Sequence, residues 1–174
     1  MHKHSILPAL GVALLCAAAS FAQQVKTDYD HNVEFSQYKT YSWEKVQTQN
    51  PLWVDRIKGA VNAALAAKGW TPVESGGDVA IVAMEMAQNH PTLNTYYDGF
   101  GGGWRWGGFG DVRTTVTNYT VGTLVVDLFE ANSKKLIWRG SSSEALSNKP
   151  DKNIKALDKD VQKMFDHFPP GGGK

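Results

Sequence analysis

The chain has 174 residues, 18 Lys and Arg against 17 Asp and Glu, and a formal net charge of +1. That balance leaves no electrostatic footprint for nucleic acid or for an anionic membrane surface. The one cysteine, Cys16, rules out an internal disulfide or a zinc–thiolate cluster.

Residues 1–22 read as a secretory signal peptide. His2, Lys3 and His4 form a weakly basic start, Ile6 to Ala19 is an apolar run too short for a good membrane span, and Ser20-Phe21-Ala22 suits a cut after Ala22. Cys16 lies inside the run, and Leu15 stands where a lipidation signal wants a small residue. Cleavage after Ala22 and lipidation at Cys16 both stay open. Cleavage removes 22 of the 174 residues and Lys3, leaving 152 residues of zero formal charge and no cysteine. That length builds one domain with a real core, here expected over residues 23–170. An exported domain without disulfides fits a bacterial periplasm or outer envelope.

Val25 to Asp30 predicts a first strand, and Lys39 to Trp43 a second, with Tyr41 and Trp43 facing the same way. Asn50-Pro51 marks a helix start, because Asn caps and Pro fits the first turn. Trp53, Ile57, Ala60, Val61, Ala64 and Leu65 then recur on one helical face, which Lys68-Gly69 closes. Asp78 to Met86, a nearly continuous apolar run after Gly76-Gly77, predicts a buried strand.

From Asn89 to Gly110 the sequence predicts a long loop. Seven glycines and six aromatics crowd Tyr96 to Gly110 with no period that suits a sheet or a helix. Val112 to Thr120 alternates again as a strand. Gly122 to Gly140 is the strongest local signal: Leu124, Val126 and Leu128 share one face, Val125, Asp127 and Phe129 the other, and a polar turn leads to a return strand carrying Leu136, Trp138 and Arg139. Pro150-Asp151 opens a second helix with the stripe Ile154, Leu157, Val161, Met164, Phe165 and Phe168. Pro169-Pro170 stops it, and residues 171–174 form a frayed tail. These elements predict an α+β two-layer sandwich, a five- to six-stranded, mainly antiparallel sheet with both amphipathic helices on one face. Trp138 and Arg139 read as scaffold.

Asp28-Tyr29-Asp30, Phe35, Tyr38 to Trp43, Arg56-Ile57 and Lys68-Gly69-Trp70 carry a resemblance over nearly the whole mature chain. It continues through the Gly/aromatic segment, Gly122-Thr123-Leu124 with Asp127, Trp138-Arg139-Gly140 and Phe168-Pro169-Pro170. In this order and spacing the chain resembles a bacterial envelope family known as domain of unknown function 4136, many of whose members look lipidated. Leu15 departs from that pattern. The resemblance implies an exported address and brings no activity.

The Gly/aromatic loop is the leading functional candidate. Tyr96, Tyr97, Phe100, Trp104, Trp106 and Phe109, with Arg105, match the enrichment of interface anchors and suit contact with a protein, a glycan or a lipid. The competing class is a metal-dependent or acid–base hydrolase using Asp28, Asp30 and His31, since two carboxylates leave one strand face beside an imidazole. Ser42 to Lys45 matches Ser-x-x-Lys but leaves a strand, whereas that chemistry starts a helix. Neither a phosphate loop nor a nucleophile elbow occurs, and no cofactor is expected. Asn118-Tyr119-Thr120 fits the glycosylation pattern, His90 sits in the loop, and His167 favours a helix C-terminus.

Overall fold

The computed structural model describes residues 24–97 and 112–170. β1 (Gln24–Tyr29) leads through a 3₁₀ turn at Phe35–Gln37 into β2 (Thr40–Gln47), α1 (Trp53–Ala67) and β3 (Thr71–Pro72). β4 (Val79–Tyr97), β5 (Val112–Glu130), β6 (Leu136–Ala145) and α2 (Pro150–Phe165) follow. The strands form one sheet in the order β1-β6-β5-β4-β2-β3, antiparallel from β1 to β4 and parallel where β2 meets β4 and β3. The architecture is the α+β arrangement expected, with a mixed sheet that is mostly antiparallel.

Period-two patterning places the core. Leu124, Val126 and Leu128 of β5, Val79, Ile81 and Ala83 of β4, and Trp138 of β6 are all buried. Ile57, Val61, Ala64 and Leu65 of α1 and Leu157, Val161, Met164 and Phe165 of α2 join them in a single cluster. Both helices therefore cover one face of the sheet and pack on each other. Phe168, just past α2, meets Phe35, Trp70, Trp138 and Phe165 edge-on, with ring centroids 5.1–5.7 Å apart. α2 ends three residues before Phe168, so this ring enters the core from the turn and not from the helix stripe.

The ends of α1 are set by local hydrogen bonding. The helix begins later than expected, with Leu52 and not Asn50 as its N-cap and no side-chain cap. Asn50 holds the turn before it, its Oδ1 accepting from the Leu52 N–H at 3.1 Å and its carbonyl from the Trp53 N–H at 2.9 Å. At the other end Gly69, at φ 80°, lets the Trp70 N–H reach the Leu65 carbonyl at 3.0 Å, which closes the helix and delivers Trp70 to the core. Asp78 Oδ2 accepts from the Lys39 and Thr40 N–H groups and the Thr40 hydroxyl at 2.9–3.0 Å, clamping the entry of β4 onto the start of β2. Those backbone donors hold its carboxyl below the usual range.

Three elements differ from expectation. The strand read from Asp78 to Met86 runs on to Tyr97, so Asn89 to Tyr97 is strand and not loop. Val112–Thr120 and the first hairpin strand are one continuous 19-residue strand. The cause is shared: β4 and β5 pair residue by residue from Val79↔Glu130 out to Tyr97↔Val112, and Thr- and Val-rich β5 supplies a partner for a segment with little pattern of its own. Pro91 is tolerated there because, among the described residues, no strand pairs with the other side of β4 beyond Met84. The third element, β3, is a two-residue pairing with β2 that sequence periodicity cannot register.

Candidate functional site

β6 pairs with β5 only as far as Val121↔Ala145, and β2 pairs with β4 only as far as Gln47↔Met84. Among the described residues, Asn89–Tyr97 and Val112–Thr120 therefore form a two-stranded ribbon with no third strand. Nine residues at about 3.3 Å each carry it roughly 30 Å beyond the sheet. Thr120 donates its hydroxyl to Asn89 Oδ1 at 2.7 Å across the ribbon's base. Tyr96 and Tyr97 fall on successive positions at the distal end of β4. Phe100, Trp104, Arg105, Trp106 and Phe109 lie outside the described residues. His90 pairs with Tyr119, and Asn118 with Pro91, within the ribbon ladder.

A second feature lies at the ribbon's root, on the helix-covered face. Two cross-strand rows, Glu85–Leu124–Ser142 and Ala87–Gly122–Glu144, floor a half-open cavity of about 240 Å³ beneath Trp53 of α1 and Leu157 and Asp160 of α2. Gly122 is small for a reason: a Cβ there would stand 2.8 Å from Leu146 Cδ2, and Leu146 forms part of the wall. Asp160 is 4% exposed, and its Oδ1 has no hydrogen-bond partner in the protein; neither has Glu144 Oε2. Burial pushes the Asp160 carboxyl up from its ordinary 3.8, and the Glu144 charge adds to this. The Ser142 hydroxyl and the fields of Lys163 and Lys159 act the other way.

Sequence reasoning missed these acids, although a signal existed. Asp160 sits at helical spacing inside the apolar stripe Leu157, Val161, Met164, and Glu144 continues the inward alternation of Trp138, Gly140 and Ser142.

The raised Asp160 pKa has a testable sign. The folded state holds this proton to higher pH than the unfolded chain, so stability declines as pH rises from about 4 through the raised value. Asp160→Asn removes the ionisation. The variant should gain stability relative to the parent at pH 7, and that gain should vanish in urea melts below about pH 4. A stability difference that does not change with pH would contradict the assignment.

A family model for a domain of unknown function, DUF4136, matches residues 25–170. The chain belongs to the DUF4136 family. The matched region runs from β1 through the Pro169-Pro170 end and so includes the ribbon and the cavity of this DUF4136 domain. No curated protein matches the chain. Among solved structures, a PDZ domain protein from Parabacteroides distasonis superposes with a TM-score of 0.57 at 13% identity, covering 87% of this chain and 37% of that one. The DUF4136 chain thus spans little more than a third of that protein, and the likeness is one of fold. A minor lipoprotein from Acinetobacter baumannii superposes with a TM-score of 0.35 at 16% identity, over 75% of this chain and 91% of its own. A lipoprotein from Neisseria meningitidis gives 0.41 at 11% identity, over 74% and 99%.

The Asp28–His31 end of the DUF4136 domain is built differently from a convergent acid–base cluster. Asp28 is exposed and its Oδ1 accepts the N–H of Tyr29 at 2.9 Å. Asp30 forms an ion pair with Lys135 and accepts the Asn32 N–H, and these hold its carboxyl below the usual range. The His31 ring rests on Tyr29, with centroids 4.3 Å apart. Asp28 and Asp30 share a shallow cleft with Arg139, whose guanidinium forks onto Asp127 at 2.6 and 2.7 Å. Among the described residues no group of three or more His, Cys, Asp or Glu is placed to hold a metal ion. Ser42 is buried within β2, with Lys45 beyond a register shift. His167 follows the C-cap Asp166 of α2 and is exposed.

Proposed function

We propose that this protein is an exported, non-enzymatic binding or support domain of the bacterial envelope, whose contact element is the β4–β5 ribbon with residues 98–111 at its end. One observation carries the reading: the ribbon leaves the sheet unsupported. A two-stranded hairpin alone is marginally stable in water. Among the described residues no further strand is registered on its edges beyond the base, where the Leu146 N–H meets the Thr120 carbonyl at 2.7 Å, and such edges suit added strands or other polar partners. A chain that extends such an element about 30 Å from its body is organised to reach something. Tyr96, Tyr97, Phe100, Trp104, Arg105, Trp106 and Phe109 are the residues proposed to make the contact, with an envelope protein, a glycan or a lipid.

The exported address rests on the three-part pattern of residues 1–22, with Cys16 as an anchor point if lipidated. No helix among the described residues is long and apolar enough to cross a membrane.

The test is in-cell photocrosslinking from position 104 or 106 of the intact chain, and from exposed position 88 both in the intact chain and in a variant lacking residues 95–110. Because no third strand among the described residues packs on the ribbon, the deletion should leave the domain folded, with unfolding free energy changed by about 1 kcal/mol or less, and should abolish the crosslinks that the intact chain makes from position 88. Unchanged crosslinked species in the deletion variant would end this reading.

A further inference from the structure

We propose that the cavity at the root of the ribbon is a binding site for a small organic cation, a primary ammonium carried on a short apolar body. This site does not depend on the ribbon's role, and several of its polar groups are already used. Glu85 accepts the Thr48 hydroxyl at 2.7 Å. The Asn153 amide is spent on the Ser147 N–H and carbonyl, both at 2.8 Å, and Asn50 Oδ1 on the Leu52 N–H. Among the buried side-chain atoms of the lining, those left without a partner are Asp160 Oδ1, on a residue 4% exposed, and Glu144 Oε2. Both are acceptors.

The missing complement is therefore a donor, and an ammonium supplies three with no acceptor of its own. The charge agrees. Glu85, Glu144 and Asp160 line the space, and no Lys, Arg or His does so among the described residues. Lys159 and Lys163 act on Asp160 from α2 without entering the lining. An anion would meet only like charge. A bare metal ion is disfavoured because no three of these acids are placed to coordinate one.

Size and the remaining walls define the rest of the ligand. A volume of about 240 Å³ is roughly eight times the 30 Å³ share of one water, which suits a body of about eight to ten non-hydrogen atoms. Trp53, Leu124, Leu146 and Leu157 give that body an apolar seat. Water alone could satisfy the two oxygens but would leave these walls wet.

The experiment is calorimetric titration of the full mature chain with phenethylammonium, alongside phenethyl alcohol and phenylacetate as neutral and anionic counterparts. The expected result is saturable one-site binding of the amine, at least tenfold weaker binding of the alcohol, and none of the acid. Asp160→Asn should weaken the amine at least tenfold while circular dichroism shows the fold intact, and Glu144→Gln should weaken it by a smaller factor. Amine affinity should rise with pH as Asp160 gives up its proton. Absence of saturable heat with the amine, equal affinity for the alcohol, or parental affinity in Asp160→Asn would each overturn the proposal.

Discussion

Trp138→Ala should destabilise the protein by about 3–5 kcal/mol, a large part of the ~5–15 kcal/mol that holds a domain of this kind together. Trp138 is 3% exposed. Its ring lies 4.7 Å from Phe165 and 5.5 Å from Phe168, and its backbone sits between Tyr29 of β1 and Leu128 of β5. Removing it opens a void at the junction of sheet, α2 and the Phe168 turn, which three separately anchored elements cannot close by shifting together. The local sequence is shaped to admit the ring: a Cβ on Gly140 would come within 2.5 Å of Trp138 Cη2. Urea unfolding followed by circular dichroism reads the cost, and a loss under about 1 kcal/mol would show that this core is not the organising one.

Gly77→Ala should be the second severe lesion, at or above the upper end of the ~1–3 kcal/mol typical of overpacking. An added Cβ would meet the Tyr41 carbonyl carbon at 2.6 Å and the Ser42 nitrogen and Tyr41 Cα at 2.7 Å. These are backbone atoms of a buried strand, so no rotamer change relieves the clash. β2 and the entry to β4 would have to move apart, straining the Asp78 clamp beside them. Gly76→Ala is the matched control. Gly76 has open space around its missing Cβ but a φ of 69°, so only the left-handed backbone cost of about 1–2 kcal/mol applies. A thermal melt should therefore rank parent, Gly76→Ala, Gly77→Ala in falling order; reversal of the two variants would refute the close-approach account.

The parts of the fold legible in the sequence are those where side-chain period and burial coincide. The Leu124–Val126–Leu128 alternation placed β5 at the sheet's centre, and the stripes of α1 and α2 placed both helices on one face, because there the hydrophobic pattern and the packing are the same fact. Legibility fails where pairing is held by backbone alone. Asn89 to Tyr97 is strand because β5 lies beside it, and no window confined to those residues contains that information. β3 is too short for any period. Asp160 was visible as a charge inside an apolar stripe, but its meaning depended on Glu144 and Ser142 arriving from another element, which only the register of β6 reveals. The seven aromatic and basic residues proposed for contact were chosen by composition. Two of them, Tyr96 and Tyr97, are placed on the ribbon's strand, and the other five lie beyond the described residues.

The pairing of β1 sets a direction for the whole molecule. Gln24 lies opposite Ser143, which itself lies opposite Thr123, so the chain enters the sheet at the end from which the ribbon departs. Entry point and outreach thus share one pole of the domain, with the Phe168 aromatic cluster toward the other. A short attachment at the N-terminal side to any surface would hold the domain with its ribbon facing that surface. The ribbon would then probe the space between body and support, not the compartment beyond.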